Sequence, residues 1–238
     1  MGQNINADTA ILIFSLSAKR EAERKRLFGK DKRQASGKFF DVLIEQTRKI
    51  AMASGADVFF FDEGRQQGRT FGERYADAFQ QVFNEGYTKV ISIGNDTPDL
   101  TAAALSKAID AIQHQDLVIG PATDGGVYLL GLDRSLFESG QFLALPWLTD
   151  SLFRTLCEND HWRQGGMYLL DALSDLDDTA SVLEYVNRAS DAFLIRCILQ
   201  ALAPSKPRVI SRKFLLYSDI LSSLLPLRAP PARFLRAA

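Results

Sequence analysis

The sequence predicts an α/β protein built as three layers, a mostly parallel sheet with helices on both faces. Three observations carry that prediction. Short apolar runs such as Ala10-Ile11-Leu12-Ile13-Phe14 lack the alternation of a half-exposed strand, so they read as strands covered on both sides. Between them lie stretches of helical length with apolar residues three and four apart, such as Phe39, Val42 and Leu43. Strands separated by helices of this length make βαβ units, whose strands run parallel.

The elements follow in order. Residues 10–15 form the first strand, and residues 38–53 a helix that stops at Gly55. Residues 57–61 are the second strand, 71–86 a helix, and 89–93 a third strand that enters Gly94-Asn95-Asp96-Thr97-Pro98-Asp99. A helix over residues 101–114 takes Asp99 or Thr101 as its cap. Residues 117–119 form the fourth strand, and beyond Asp124-Gly125-Gly126 residues 127–132 form another. Helices are expected over 150–158 and 180–187. From Asp191 the character changes to apolar helices broken by Pro204 and Pro207, then a Pro- and Arg-containing end. The expected organisation is one domain over residues 1–190, with a helical C-terminal appendage over 191–238 packed on it and frayed at its end.

A chain of 238 residues is within the range of one α/β core. No apolar run approaches the roughly 20 residues a membrane span needs. Residues 1–9 are polar and show no secretory signal. Cys157 and Cys197 sit in helical apolar patterns, where a buried free thiol is usual. The expectation is a cytoplasmic protein without disulfides. A net charge of -1 gives no overall pull toward nucleic acid or membrane. Residues 19–33 are the local exception, with eight basic residues against three acidic ones. That segment is either a solvated face or a phosphate-binding loop.

In an open parallel sheet, ligands collect outside the carboxyl ends of the strands. Asp96 and Asp99 follow the third strand and Asp124 the fourth. Carboxylates there suit Mg2+ or Mn2+, hard cations that share their coordination with substrate phosphates. Simpler roles also exist: Asp99 as a helix cap, Asp96 in a turn, Asp124-Gly125-Gly126 in a hairpin. Two glycines after a carboxylate also let backbone approach a ligand closely. Asp175, Asp177 and Asp178 crowd one segment and repel unless a cation or water screens them, although Asp178 also suits a helix cap. With two histidines and no zinc-type spacing, a zinc site is disfavoured. Dinucleotide, Walker-type and nucleophile-elbow glycine motifs are absent.

Gly94-Asn95-Asp96-Thr97-Pro98-Asp99-Leu100 and Gly120-Pro121-Ala122-Thr123-Asp124-Gly125-Gly126-Val127-Tyr128-Leu129-Leu130-Gly131-Leu132 carry a resemblance. They resemble two elements of the bacterial DUF2064 family, proteins similar to glycosyltransferases of the A type. Weaker likenesses are Gly72-Glu73-Arg74, Trp147 to Thr149, and Asp175-Leu176-Asp177, so that the resemblance spans about residues 10–187. Its N-terminal loop departs from the family pattern. Where the family has Ala-x-Pro-x-Pro-Gly-x-x-Lys-Thr-Arg-Leu, this chain reads Ser17-Ala18-Lys19-Arg20-Glu21-Ala22-Glu23-Arg24-Lys25-Arg26-Leu27, without the prolines and the glycine.

The resemblance implies a nucleotide-diphospho-sugar transferase fold. It further implies Mg2+ or Mn2+ on Asp96 with Asp177 as second ligand, and Asp124 acting on an acceptor hydroxyl. Arg24, Arg26, Glu73, Gly125, Gly126 and Trp147 would line the substrate site. The function expected first is a metal-dependent glycosyltransferase that takes a nucleotide sugar and a small-molecule acceptor. The alternatives are a nucleotidyltransferase that takes a nucleoside triphosphate and releases pyrophosphate, and a non-catalytic nucleotide-binding protein.

Overall fold

In the computed structural model, which describes residues 8–29 and 31–203, β1 (Thr9–Phe14) is buried along nearly its whole length, as an unbroken apolar run requires. Its side chains alternate across the sheet: Ala10 and Leu12 join one core cluster, Ile11 and Ile13 the other. It pairs in parallel with β2 (Asp57–Phe61) on one side and β3 (Lys89–Ile93) on the other. The connections carry α1 (Ala18–Arg24), α2 (Arg33–Met52) and α3 (Phe71–Asn84). Next come α4 (Ala102–Ile112), β4 (Leu117–Pro121) and β5 (Val127–Asp133). A last strand, β6 (Met167–Leu169), completes a sheet ordered β2-β1-β3-β5-β4-β6.

One strand is reversed. β5 lies antiparallel to both β3 and β4, whereas every other pairing is parallel. The cause is the length of the preceding connection. Residues 122–126 are too few for the crossover that parallel strands need, and suffice for a hairpin turn. Gly125 makes that turn at φ 91°, a left-handed value that other residues adopt only with strain. The sheet is therefore mixed, with helices on both faces.

The two faces have separate cores. On one, Phe79, Val82 and Phe83 of α3 pack with Phe142 of α5 (Ser139–Leu143) and with Leu152 and Leu156 of α6 (Leu152–Glu158). On the other, Leu105, Ala108 and Ile109 of α4 pack with Ile91 and Val118 of the sheet. Burying one such side chain as large as Phe79 contributes about 1.5–3 kcal/mol. The start of α3 is set locally by a capping box, in which the Thr70 side chain accepts from the Glu73 backbone and the Glu73 carboxylate accepts from the Thr70 backbone.

Several details differ from the sequence expectation. The first part of the basic segment forms a helix, α1, and α2 begins five residues earlier than its apolar spacing suggests. Thr101, rather than Asp99, caps α4 by accepting from the Ala104 backbone at 3.1 Å. The short elements α5, β6 and a 3-10 turn at His161–Arg163 give too few residues for a periodic signal.

The chain divides into two compact units, residues 1–184 and 185–238. α7 (Thr179–Arg188) runs across the division. In the second unit, α8 (Ala192–Leu202) is capped by Asp191, whose carboxylate accepts from the backbones of Phe193 and Leu194. Pro204, Pro207 and the end over residues 226–238 lie outside the described residues. Cys157 and Cys197 are free thiols, each partly exposed. No described helix is long and apolar enough to cross a membrane.

Candidate functional site

A cleft of about 740 Å3 opens at the carboxyl ends of β1 and β3 and is closed on one side by the β4–β5 turn. The first side of its wall comes from Gly94, Asn95 and Asp96, the residues that continue β3. The second comes from Asp124 and Gly126 in the turn, where the Gly126 backbone donates to Asp124 Oδ1 at 2.9 Å and holds the carboxylate in place. Gly125 itself does not line the cleft. A side chain there would run into the backbone of Asp150, so the close approach that requires glycine is between two loops of the protein.

The third side is the segment after β6. Leu173 bonds to the backbone of Pro121 and Thr123, and the Leu176 N–H donates to the Asp96 carbonyl at 2.8 Å. These bonds bring Asp175 and Asp177 to Asp96 from 79 and 81 positions away in sequence. At their meeting point stands Lys25. Its ammonium lies 2.5 Å from Asp96 Oδ2, 2.6 Å from Asp177 Oδ1 and 3.2 Å from the Leu176 carbonyl. The lysine side chain is only 6% exposed, against 22% for Asp96 and 54% for Asp177.

The charges in this cluster follow from that contact. Burial disfavours the lysine's charge, but the facing Asp96 and Asp177 carboxylates outweigh it and hold Lys25 above the ordinary lysine range. Burial likewise pushes Asp96 up, and the ammonium brings it below the usual carboxylate range. Asp175 has no such partner. Burial, then the Asp96 charge, push it up to about 7, although it accepts a 2.5 Å hydrogen bond from Thr97.

The opposite side is aromatic. Phe14, Phe71, Tyr75 and Trp147 form its floor, with ring centroids 4.7–5.7 Å apart in successive pairs. Trp147 Nε1 donates to the Phe142 carbonyl at 2.8 Å, which fixes the ring over Gly72, where a side chain would collide with it. Leu148 stands at the rim, 69% exposed, at a left-handed φ of 63°. Arg24 and Arg74 reach the cleft from α1 and α3. The buried amide nitrogen of Asn95 has no hydrogen-bond partner among the described residues.

Of the site residues expected from sequence, Asp96, Asp177, Asp124, Gly126, Arg24 and Trp147 line this cleft. Two others do not. Arg26, beyond the end of α1, faces a separate hollow of about 100 Å3 beside Gly29 and Arg33. Glu73 is spent on its own helix, where its carboxylate accepts from the backbones of Arg69 at 2.6 Å and Thr70 at 3.0 Å. Sequence reasoning missed Lys25, Arg74 and Asn95 as site residues, although all three adjoin residues it singled out. Asp96 and Asp177 converge as expected, but on an ammonium. Each spends an oxygen on Lys25, and among the described residues no three His, Cys, Asp or Glu side chains are arranged to hold a metal ion. The residues present therefore do not fit the open oxygen shell that Mg2+ or Mn2+ requires.

Comparison with known proteins supports the fold. A structure from Desulfovibrio desulfuricans G20, named as a candidate nucleotide-diphospho-sugar transferase, matches with a TM-score of 0.67 at 24% identity, covering 82% of this chain and 98% of that one. Rv0371c from Mycobacterium tuberculosis H37Rv matches more loosely, with a TM-score of 0.42 at 18% identity over 75% of this chain and 96% of that one. Its complex with manganese gives 0.41 at 14% identity over 77% and 100%. At those scores neither bears on the chemistry of this chain. No curated protein matches. The family described as "Uncharacterized protein conserved in bacteria (DUF2064)" matches residues 41–149, a narrower span than the resemblance read from sequence. Residues 41–149 thus match the DUF2064 family, and the chain shares the fold of the Desulfovibrio desulfuricans structure.

Proposed function

We propose that the cleft binds a nucleoside-diphosphate sugar and transfers its glycosyl group to a hydroxyl of a small acceptor. The observation that carries this reading is the convergence on one strand-end cleft of two arginines, Arg24 and Arg74, a turn-held carboxylate, Asp124, and the unpaired amide of Asn95. Arginine forks match phosphate oxygens two at a time, which suits a diphosphate. In the transfer, the acceptor oxygen forms a bond to the anomeric carbon and its proton passes to Asp124. The bond from that carbon to the diphosphate breaks, and the nucleoside diphosphate leaves with the electron pair, its charge met by the arginines. The aromatic floor of Phe71, Tyr75 and Trp147 offers apolar faces for a base or a sugar ring. No step passes through a metal, because Asp96 and Asp177 are engaged by Lys25.

The test is a thermal-shift screen of the full chain against UDP-, GDP-, dTDP- and ADP-sugars and the nucleoside triphosphates. A ligand at about 100 times its dissociation constant adds about 2.7 kcal/mol of stability. Stabilisation by one nucleotide sugar, with release of nucleoside diphosphate on adding acceptor, is the expected result. Release of pyrophosphate from a triphosphate would instead identify a nucleotidyltransferase, and silence across the screen would reject a nucleotide site.

A further inference from the structure

We propose that the Lys25 ammonium is the resident cation of this cleft, standing where a divalent metal between Asp96 and Asp177 would stand, so that the cleft takes phosphate-bearing ligands without divalent metal. This deepens the functional reading above and rests on it for the nature of the ligand.

Three observations carry the inference. First, the ammonium has three N–H groups and three oxygen partners, Asp96 Oδ2, Asp177 Oδ1 and the Leu176 carbonyl, so its donors are fully used. Second, the lysine is built in. It is the residue that ends α1, its own backbone N–H still donates to the Glu21 carbonyl at 2.7 Å, and its side chain is 6% exposed. Third, three of the four other carboxylates of the cleft are also partnered within the protein. Glu21 pairs with Arg24 at 3.4 Å, Asp175 accepts from Thr97, and Asp124 accepts from Gly126.

The geometric demands of the two cations differ. Mg2+ needs close to octahedral coordination by six oxygens at about 2.0–2.1 Å. To bind there it would have to expel an ammonium that is buried and charge-paired on two sides. Lys25 offsets one of the two carboxylate charges from behind, and the charge of an incoming phosphate is left to Arg24, whose side chain is half-exposed at 51%, and to Arg74. Lys25 is thus a positioning residue: it acts through Asp96 and Asp177 and does not itself line the cleft.

The experiment uses Mn2+ alone, so that it does not depend on any nucleotide binding. Free Mn2+ is followed by its paramagnetic resonance signal while the full chain is titrated. The wild type is expected to leave the signal unchanged into the millimolar range. Lys25→Met is expected to gain one Mn2+ site, at least about tenfold tighter than any wild-type binding, and Asp96→Asn in that background is expected to abolish it. Stoichiometric Mn2+ binding by the wild type that Asp96→Asn removes would overturn the proposal, as would a folded Lys25→Met protein that gains no site. If Lys25→Met fails to fold, the wild-type titration still decides. In the nucleotide screen, equal stabilisation in Mn2+ and in chelator is expected, and stabilisation only with Mn2+ would overturn the inference. Silence toward every nucleotide would reject the ligand reading and leave the Mn2+ result to stand by itself.

Discussion

Replacing Lys25 by methionine removes one charge and keeps most of the side-chain volume, and the structure sets both the size and the pH dependence of the effect. Breaking a buried ion pair by deleting one partner costs about 3–5 kcal/mol, chiefly because a charge is left buried without a partner. Here the two abandoned carboxylates differ. Asp177 is 54% exposed, so water takes over its charge, whereas Asp96 is 22% exposed and keeps only a backbone hydrogen bond and the Arg24 charge. The expected loss is therefore about 2–3 kcal/mol, at or below the lower end of that range. At about 2–4 °C per kcal/mol for a chain of this length, it lowers the melting temperature by about 4–12 °C.

The pH dependence separates charge loss from a packing defect. In the wild type, burial raises Asp96 and the Lys25 charge outweighs it, so the folded carboxyl titrates below its ordinary value of 3.8. A depressed carboxyl contributes stability that is present above 3.8 and disappears as the pH falls through the folded value. In Lys25→Met, burial is opposed only by the Arg24 charge and a backbone hydrogen bond, so this contribution shrinks and the variant loses less stability as acid protonates Asp96. The gap between the two proteins is largest at neutral pH and closes in acid. Urea denaturation at a series of pH values in the presence of chelator measures it. A gap under about 0.5 kcal/mol at neutral pH, the level of an ordinary surface substitution, refutes the charge argument. A gap of the same size in acid as at neutral pH shows a packing defect and refutes it equally.

Other consequences can be checked separately. Gly125→Ala places a side chain at φ 91° and against the Asp150 backbone, so it should cost about 2 kcal/mol or more in urea denaturation and weaken nucleotide binding with it. Arg24→Ala and Arg74→Ala each remove a charge-assisted contact worth about 1.5–3 kcal/mol, which corresponds to a loss of about 10- to 150-fold in nucleotide-sugar affinity by calorimetry. If both leave affinity unchanged, the phosphates do not lie on that side of the cleft. The Lys89 ammonium, 2.7 Å from Asp8, donates the hydrogen bond that holds Asp8 below its ordinary range. Asp8→Asn should therefore lower stability at neutral pH and not in strong acid, since this contribution is present above the ordinary value of 3.8 and lost as pH falls below it. With Asp8 42% exposed, the effect stays under about 1 kcal/mol, and a larger loss that persists in acid would show the pairing to be incidental.

The strands were legible because burial on both faces leaves an unbroken apolar signature, as in β1 and β3, and the amphipathic helices because α3 and α4 each cover one face of the sheet. The reversal of β5 was legible only in part. The Asp-Gly-Gly turn pointed to a hairpin, but insertion of β5 between β3 and β4 is a matter of strand order, which no local pattern records. Asp96 and Asp124 were found because they end strands, where an α/β sheet collects its ligands. Glu73 shows how a motif misleads. Thr70-Phe71-Gly72-Glu73 is also a capping box, and satisfying the first N–H groups of α3 is the work its carboxylate performs.

Lys25 was hidden for a different reason. In sequence it is one of eight basic residues between Lys19 and Arg33, and nothing local separates it from Arg24 or Arg26. The three diverge at the end of α1: Arg24 faces the cleft, Lys25 turns inward to Asp96 and Asp177, and Arg26 faces a different hollow. What distinguishes Lys25 is a pair of carboxylates 71 and 152 positions away, brought together by the hydrogen bond from Leu176 to Asp96. Crowded aspartates at residues 175–178 did signal that either a cation or screening water belongs among them. Whether that cation comes from solution or from the chain itself is decided by tertiary placement, and here the chain supplies it.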